Sequence, residues 1–267
     1  MPVTKFLFWN INRKPLGGLI STLAQQHDVD VIILAESGIE PMRLRGFEFA
    51  PSPGVSVRVF TRFGHQFIRN VADGARYSIR ELKLPGCIPV LIAMLHLPIL
   101  NVNEKSQESE CFMTALRIRD TEAHVGHERT LVVGDFNLNP FNAGIASAAG
   151  FNAVMHRDIA RRGSRRIRGE RYPFFYNPMW NHFGDERQPA AGTYYYDKSD
   201  HMAYYWHMFD QVLVRPALLS RLPVPAVTIP TSSGSVSLVG QNGRPDTRSG
   251  SDHLPILFSL NLEGDSE

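Results

Sequence analysis

The chain has 267 residues, with 28 basic and 26 acidic side chains and a formal charge of +2. At 43% hydrophobic and 20% charged residues it is neither disordered nor fibrous, and its length is enough to bury a core without disulfide staples. The near-neutral total hides an asymmetry, because residues 157–171 hold seven Arg against two acids and leave a negative excess elsewhere.

In chain order, residues 3–10 (Phe6, Leu7, Phe8, Trp9) predict a buried strand. Leu16, Leu19, Ile20 and Leu23 then fall at helical spacing, and the helix is expected to stop near His27 and Asp28. Residues 29–34 are a short apolar strand running into Ala35-Glu36-Ser37. From 46 to 97 the pattern becomes short β-like runs at 47–50, 55–61, 66–71, 78–84 and 90–95, punctuated by Gly and Pro. Residues 103–121 predict an amphipathic helix with Phe112, Ala115 and Leu116 inward, and 131–133 another buried strand. Residues 156–205 are rich in Arg, Tyr, Asn and Gly, with weak periodicity, and look like an insertion. Regular structure resumes at 206–214 and 254–260, before an acidic tail at 263–267. One domain over 1–262 carrying this insertion is the simplest organisation.

Cys87 and Cys111, the only cysteines, lack metal or redox spacing and fit a reducing compartment. The N-terminal run lacks the parts of a signal peptide, and no stretch approaches the roughly 18 apolar residues of a membrane span. The expected location is cytoplasmic.

Polar residues sit at the strand ends. Asn10, Glu36, His96, Asp135 with Asn137, Asp210, and Asp252 with His253 each close a predicted strand or occupy a short turn. Carboxylates gathered at one place repel each other, and a hard divalent cation with oxygen ligands relieves that repulsion. Asp135 and Asn137, two apart on an extended chain, project to one side. The two imidazoles suit phosphate contact or proton transfer near neutral pH.

Six pieces occur in order: Phe8-Trp9-Asn10-Ile11-Asn12, Leu34-Ala35-Glu36-Ser37, Leu95-His96-Leu97-Pro98, Gly134-Asp135-Phe136-Asn137, Phe209-Asp210-Gln211-Val212 and Ser251-Asp252-His253-Leu254-Pro255. Through them the chain resembles the endonuclease/exonuclease/phosphatase family, the DNase I-like and exonuclease III-like hydrolases. The resemblance implies an α/β (α+β) four-layer αββα sandwich of two packed mixed sheets, and Mg²⁺-dependent phosphoester hydrolysis with Mn²⁺ as an alternative ion. It implies metal ligation by Glu36, Asn10 and Asp252. Asp135 is then expected to orient or deprotonate water, Asn137 to hold a phosphate oxygen, and His253, oriented by Asp210, to donate to the phosphoryl group. His96 is expected to contact the phosphate or assist the leaving group. Ala35 stands where the family commonly has Gln, Asn12 where the exonuclease III branch often has Asp, and that branch's tyrosine in place of His96 is missing. These departures argue against a typical abasic-site endonuclease.

The Arg stretch runs into aromatics at Tyr172, Phe174, Phe175, Tyr176 and Trp180, then Tyr194-Tyr195-Tyr196 and Tyr204-Tyr205-Trp206. Guanidinium groups beside aromatic faces suit nucleic-acid backbones and unstacked bases. Arg161, Arg162, Arg165, Arg166, Arg168 and Tyr176 are therefore expected to grip substrate from an arm overhanging the site. The leading expectation is a nuclease acting on DNA or RNA. Its rivals are hydrolysis of a small phosphoester (a nucleotide, an inositol phosphate or a phospholipid headgroup) and a non-catalytic nucleic-acid-binding module.

Overall fold

The computed structural model describes residues 3–38, 43–51, 57–98, 104–186, 190–198 and 203–264. In its first half the chain forms β1 (Val3–Asn10), α1 (Gly17–Gln26), β2 (Val31–Ala35), β3 (Glu48–Ala50), β4 (Val57–Thr61), β5 (Ile68–Asp73), β6 (Tyr77–Leu82), β7 (Val90–His96), α2 (Glu104–Val125) and β8 (Thr130–Asp135). There follow α3 (Ala143–Ala146), β9 (Ala153–Val154), α4 (Arg157–Ala160), β10 (Ser164–Ile167), β11 (Glu170–Pro173), β12 (Phe175–Tyr176), β13 (Tyr194–Tyr195), β14 (Trp206–His207) and β15 (Asp210–Val214). The chain closes with β16 (Val227–Thr228), β17 (Ser232–Ser233), β18 (Val236–Ser237) and β19 (Ile256–Asn261). Among the described residues no helix is long and apolar enough to cross a membrane.

Two mixed sheets carry the molecule. The first runs β16-β19-β1-β2-β4-β3 and the second β5-β6-β7-β8-β15-β12-β9. Each has a parallel pair at its heart, β1 with β2 and β7 with β8, and each pair is joined by a helical crossover, as parallel neighbours require. Alternation along the strands of the second sheet separates two cores. Ile92, Met94, Leu131, Val133, Val212 and Val214 join the large core with the first sheet. Leu91, Ala93, Leu95, Val132 and Leu213 instead face α2 and α3. Because side chains alternate across a strand, these buried runs serve both faces, which makes the four-layer αββα sandwich.

Several elements differ from expectation. Helix α2 buries Cys111, Ala115 and Ile118, whereas Leu116 is exposed at 42%. The buried stripe steps by four and three residues, which places Leu116 off that face. Residues 55–56, expected to open a strand, and 265–267 of the expected tail lie outside the described residues. The run expected at 206–214 is two strands, because Met208 and Phe209 interrupt it. The 156–205 stretch is not shapeless: β12 enters the second sheet between β15 and β9, and β10 with β11 forms a hairpin.

Candidate active site

One end of the sandwich gathers the strand-end polar residues. In the second sheet, His96 pairs with Asp135 and Asp135 with Asp210, so three neighbouring strands align their site residues in one row. Gly134 permits this alignment, because a Cβ there would lie 2.1 Å from the Leu95 carbonyl oxygen. In the first sheet Asn10 pairs with Ala35, bringing Glu36 against the end of β1. Glu36 has φ 49, a left-handed conformation that costs roughly 1–3 kcal/mol in a residue with a Cβ. Surrounding bonds hold it there: Arg13 N donates to the Glu36 carbonyl at 2.7 Å and Ile11 N to the Ala35 carbonyl at 3.1 Å.

Asn10 links the two sheets. Its Nδ2 donates to Glu36 Oε1 at 3.2 Å and to Asp135 Oδ2 at 2.9 Å, while its Oδ1 accepts from Asn12 N at 3.1 Å. The His96 Nε2 lies 3.4 Å from Glu36 Oε1. That imidazole, outweighing partial burial and aided by Asn10, holds the Glu36 carboxyl down to about 2. Glu36 is therefore a carboxylate at any working pH.

Asp135 accepts from Asn137 N at 2.9 Å, and Asn137 Nδ2 donates to the Leu97 carbonyl at 2.7 Å. Asn137 has φ 50, so the segment is a turn rather than an extended chain, and its backbone amide, not its side chain, meets Asp135. Burial pushes the Asp135 carboxyl above its ordinary value, against the lowering influence of His253. His253 Nδ1 lies 2.8 Å from Asp210 Oδ2, and its Nε2 lies 3.9 Å from Asp135 Oδ2. Burial alone would lower the pKa of His253, but the negative charges of Asp210 and Asp135 raise it to about 10. Asp135, Asp210 and His253 present ligand atoms within 4.8 Å of one another, and the imidazolium relieves the repulsion of the two buried carboxylates.

The turn carrying His253 is tied on three sides. Trp9 Nε1 donates to the His253 carbonyl at 2.8 Å, Ser251 Oγ to the Asn10 carbonyl at 2.7 Å, and Leu254 N to the Thr193 carbonyl at 2.8 Å. Asp210 N in turn donates to Thr193 Oγ1 at 3.2 Å. Asp252 accepts from Ser251 Oγ at 3.1 Å and faces the cleft.

All eight expected catalytic and metal residues thus meet at one end of the sandwich. A cleft of about 350 Å³ is lined by Glu36, His96, Asp135, Asn137, Asp252 and His253. It also takes in Asn12, Arg13, Arg76, Pro98 and Tyr194. Arg13 and Arg76 are not among the expected site residues, whereas Tyr194 belongs to the aromatic run expected to meet substrate. Arg13 follows the Asn10 motif directly and was legible by adjacency. Arg76 sits in the β5–β6 turn, and nothing local in the sequence marks it.

The expected arm is elsewhere. Arg171, in the strand paired with Arg165 and Arg166, holds Glu128 at 3.0 Å, just before β8, whereas Asp135 ends that strand. At about 3.3 Å per residue, the length of β8 separates them. The hairpin bearing Arg165, Arg166 and Arg168 therefore does not overhang the cleft. Arg161 pairs with Asp158, Arg162 is exposed beside it, and Arg165 donates to the Ala146 carbonyl at 3.1 Å. Tyr176 is buried in β12 under the Arg157 guanidinium and belongs to the core. Local composition showed charge and aromaticity but not which end of the sheet the hairpin would cap.

No curated protein matches the sequence significantly. Among solved structures, the chain is similar to D. rerio TDP2 complexed with single-strand DNA product, at 15% identity and TM-score 0.58, covering 98% of this chain and 100% of that one. It is similar to an AP endonuclease from Archaeoglobus fulgidus, at 14% identity and TM-score 0.56, covering 97% and 99%. A Bacteroides thetaiotaomicron endonuclease/exonuclease/phosphatase family protein matches at 13% identity and TM-score 0.58, covering 99% and 98%. These likenesses show the fold, and the family model of the endonuclease/exonuclease/phosphatase proteins matches residues 7–253. With the ordered strand-end residues and the two-sheet sandwich in agreement, the chain belongs to the endonuclease/exonuclease/phosphatase family.

Proposed function

We propose that the protein is a divalent-metal-dependent phosphodiesterase acting on nucleic acid. The observation that carries this reading is the row His96–Asp135–Asp210 facing Glu36, with a charged His253 anchored at its edge. Asp135, with its pKa raised by burial, is suited to take a proton from an attacking water. His253, held protonated and oriented by Asp210, donates to a phosphoryl oxygen where negative charge builds. His96 and Asn137 line the same cleft and meet the remaining phosphoryl oxygens or the leaving group. Arg13 and Arg76, at the cleft wall, suit the flanking phosphates.

The donor set fits a hard cation: Glu36 is held as an anion and opens on the cleft beside Asp252, and both offer oxygen. Glu36 and Asp252 would hold Mg²⁺ or Mn²⁺, with Asn10 bracing Glu36 through its amide. Bound there, the ion supplies positive charge against the phosphoryl oxygens. Nucleic acid is favoured as substrate because similar structures include one holding a single-strand DNA product and a Neisseria 3' phosphatase bound to a product DNA hairpin.

The test is a substrate panel of plasmid, oligonucleotides, RNA, dinucleotides and inositol phosphates, each assayed in Mg²⁺, in Mn²⁺ and in EDTA. Cleavage of polynucleotide that EDTA abolishes supports the reading. Equal rates with and without EDTA, or turnover of small phosphoesters alone, would overturn it.

A further inference from the structure

We propose that the aromatic shelf beside His253 is a base-stacking surface, and that the substrate is a nucleic-acid strand with unpaired bases. This rests on the nuclease reading above and goes further in naming the form of the polymer. The His253 ring lies 4.7 Å from Tyr194, at the cleft wall. From Tyr194 a run of rings leads outward, to Tyr196 at 6.5 Å and to His207 at 6.3 Å. Next come Tyr204, 6.1 Å from His207, and Phe141, 5.0 Å from Tyr204.

Rings that serve a core are covered, yet Tyr196 is 45% exposed, Tyr204 47% and Phe141 38%. Most of the other exposed large apolar residues, such as Val3, Met155 and Val224, are aliphatic and have no such ring contacts. A contiguous exposed apolar patch marks a binding surface. Two observations select its occupant. The patch is continuous with the catalytic cleft through Tyr194, so a polymer held in the cleft can extend over it. Its edge also carries a cation on a ring face, with Lys198 Nζ 5.9 Å from the Tyr196 ring. Aromatic faces beside a cation match bases and phosphates together, and only unpaired bases offer both faces for stacking. A duplex keeps its bases stacked on one another and offers no free base face to a ring.

The experiment compares a short single-stranded oligothymidylate, a duplex of equal length and bis(p-nitrophenyl) phosphate, using the full chain in Mg²⁺. The expected result is a lower KM for the single strand than for the duplex. Tyr204→Ala with Phe141→Ala raises the single-strand KM about tenfold, the usual worth of a base–aromatic stack. Tyr204→Phe keeps the wild-type value, because a ring remains, and Ile167→Ala on the distant β10 is the folding control. Equal KM for both strand forms, or Ala variants with unchanged single-strand KM, would overturn the shelf while leaving the nuclease reading standing. Failure of the wild type on both polynucleotides, with the small diester hydrolysed, would overturn both. Self-association lost in the Ala variants without a KM change would reassign the patch to a second copy of the chain and overturn the proposal.

Discussion

Asp210, at the start of β15 in the second sheet, and His253, in the turn before β19 of the first, lie 43 residues apart and meet at 2.8 Å between Oδ2 and Nδ1. Both are buried, so a charged pair in a low dielectric fixes the face that the imidazole turns toward Asp135. Asp210→Asn removes the charge that keeps His253 protonated and keeps the shape. Turnover is expected to fall about 10²–10⁴-fold, the range for a displaced general acid–base group. Steady-state kinetics beside an unchanged circular dichroism spectrum would check it.

Glu36→Gln removes one carboxylate from the cleft, leaves His96 without its anionic partner and leaves Asn10 with Asp135 alone. Loss of several kcal/mol of metal-borne stabilisation implies a roughly thousandfold slower reaction. The residual rate is expected to ignore added Mg²⁺. A variant still strongly activated by Mg²⁺ would remove Glu36 from the metal site.

Arg13→Ala and Arg76→Ala are expected to raise KM for an oligonucleotide by roughly ten- to a hundredfold each, since a charge-assisted contact is worth about 1.5–3 kcal/mol. Arg166→Ala and Arg168→Ala, on the hairpin remote from the cleft, are expected to leave it within twofold. The reverse ranking would return the substrate arm to the hairpin.

Arg215 and Glu122 form a buried bidentate pair at 2.8 and 3.0 Å, and Arg215 also donates to the Pro173 and Phe174 carbonyls. Glu122→Ala strands a buried guanidinium and is expected to cost about 3–5 kcal/mol. At roughly 2–4 °C per kcal/mol, thermal melting should show it plainly.

Burial holds His182 below its ordinary pKa, and it does the same to His127 and His207. At these three sites the unfolded chain therefore binds more protons than the folded one as pH falls through the ordinary histidine value near 6.5, and their contribution to stability is lost on acidification. His253 acts oppositely: its contribution is complete below about 6.5 and lost as pH rises through about 10. Urea unfolding at about pH 7.5 and about pH 5.5, compared between the wild type and His182→Asn, should show that the variant loses less stability on acidification than the wild type.

By itself the sequence determined the strands and the residues that close them. Apolar runs such as 31–35 and 130–135 are covered on both faces in any packed α/β protein, and a polar residue at the end of such a run is visible without a structure. The order of the six motifs likewise indicated the family and the αββα sandwich. What tertiary structure decided is which end of each sheet a segment reaches. The Arg hairpin and the Tyr194–Tyr196 run belong to the same Arg- and aromatic-rich segment, yet only the latter borders the cleft. The difference lies in pairing: β12 joins β15 at Val214, far from Asp210, whereas β13 leads from Thr193, whose hydroxyl accepts from the Asp210 amide. Such long-range registers depend on contacts between residues far apart in sequence, and local composition does not encode them.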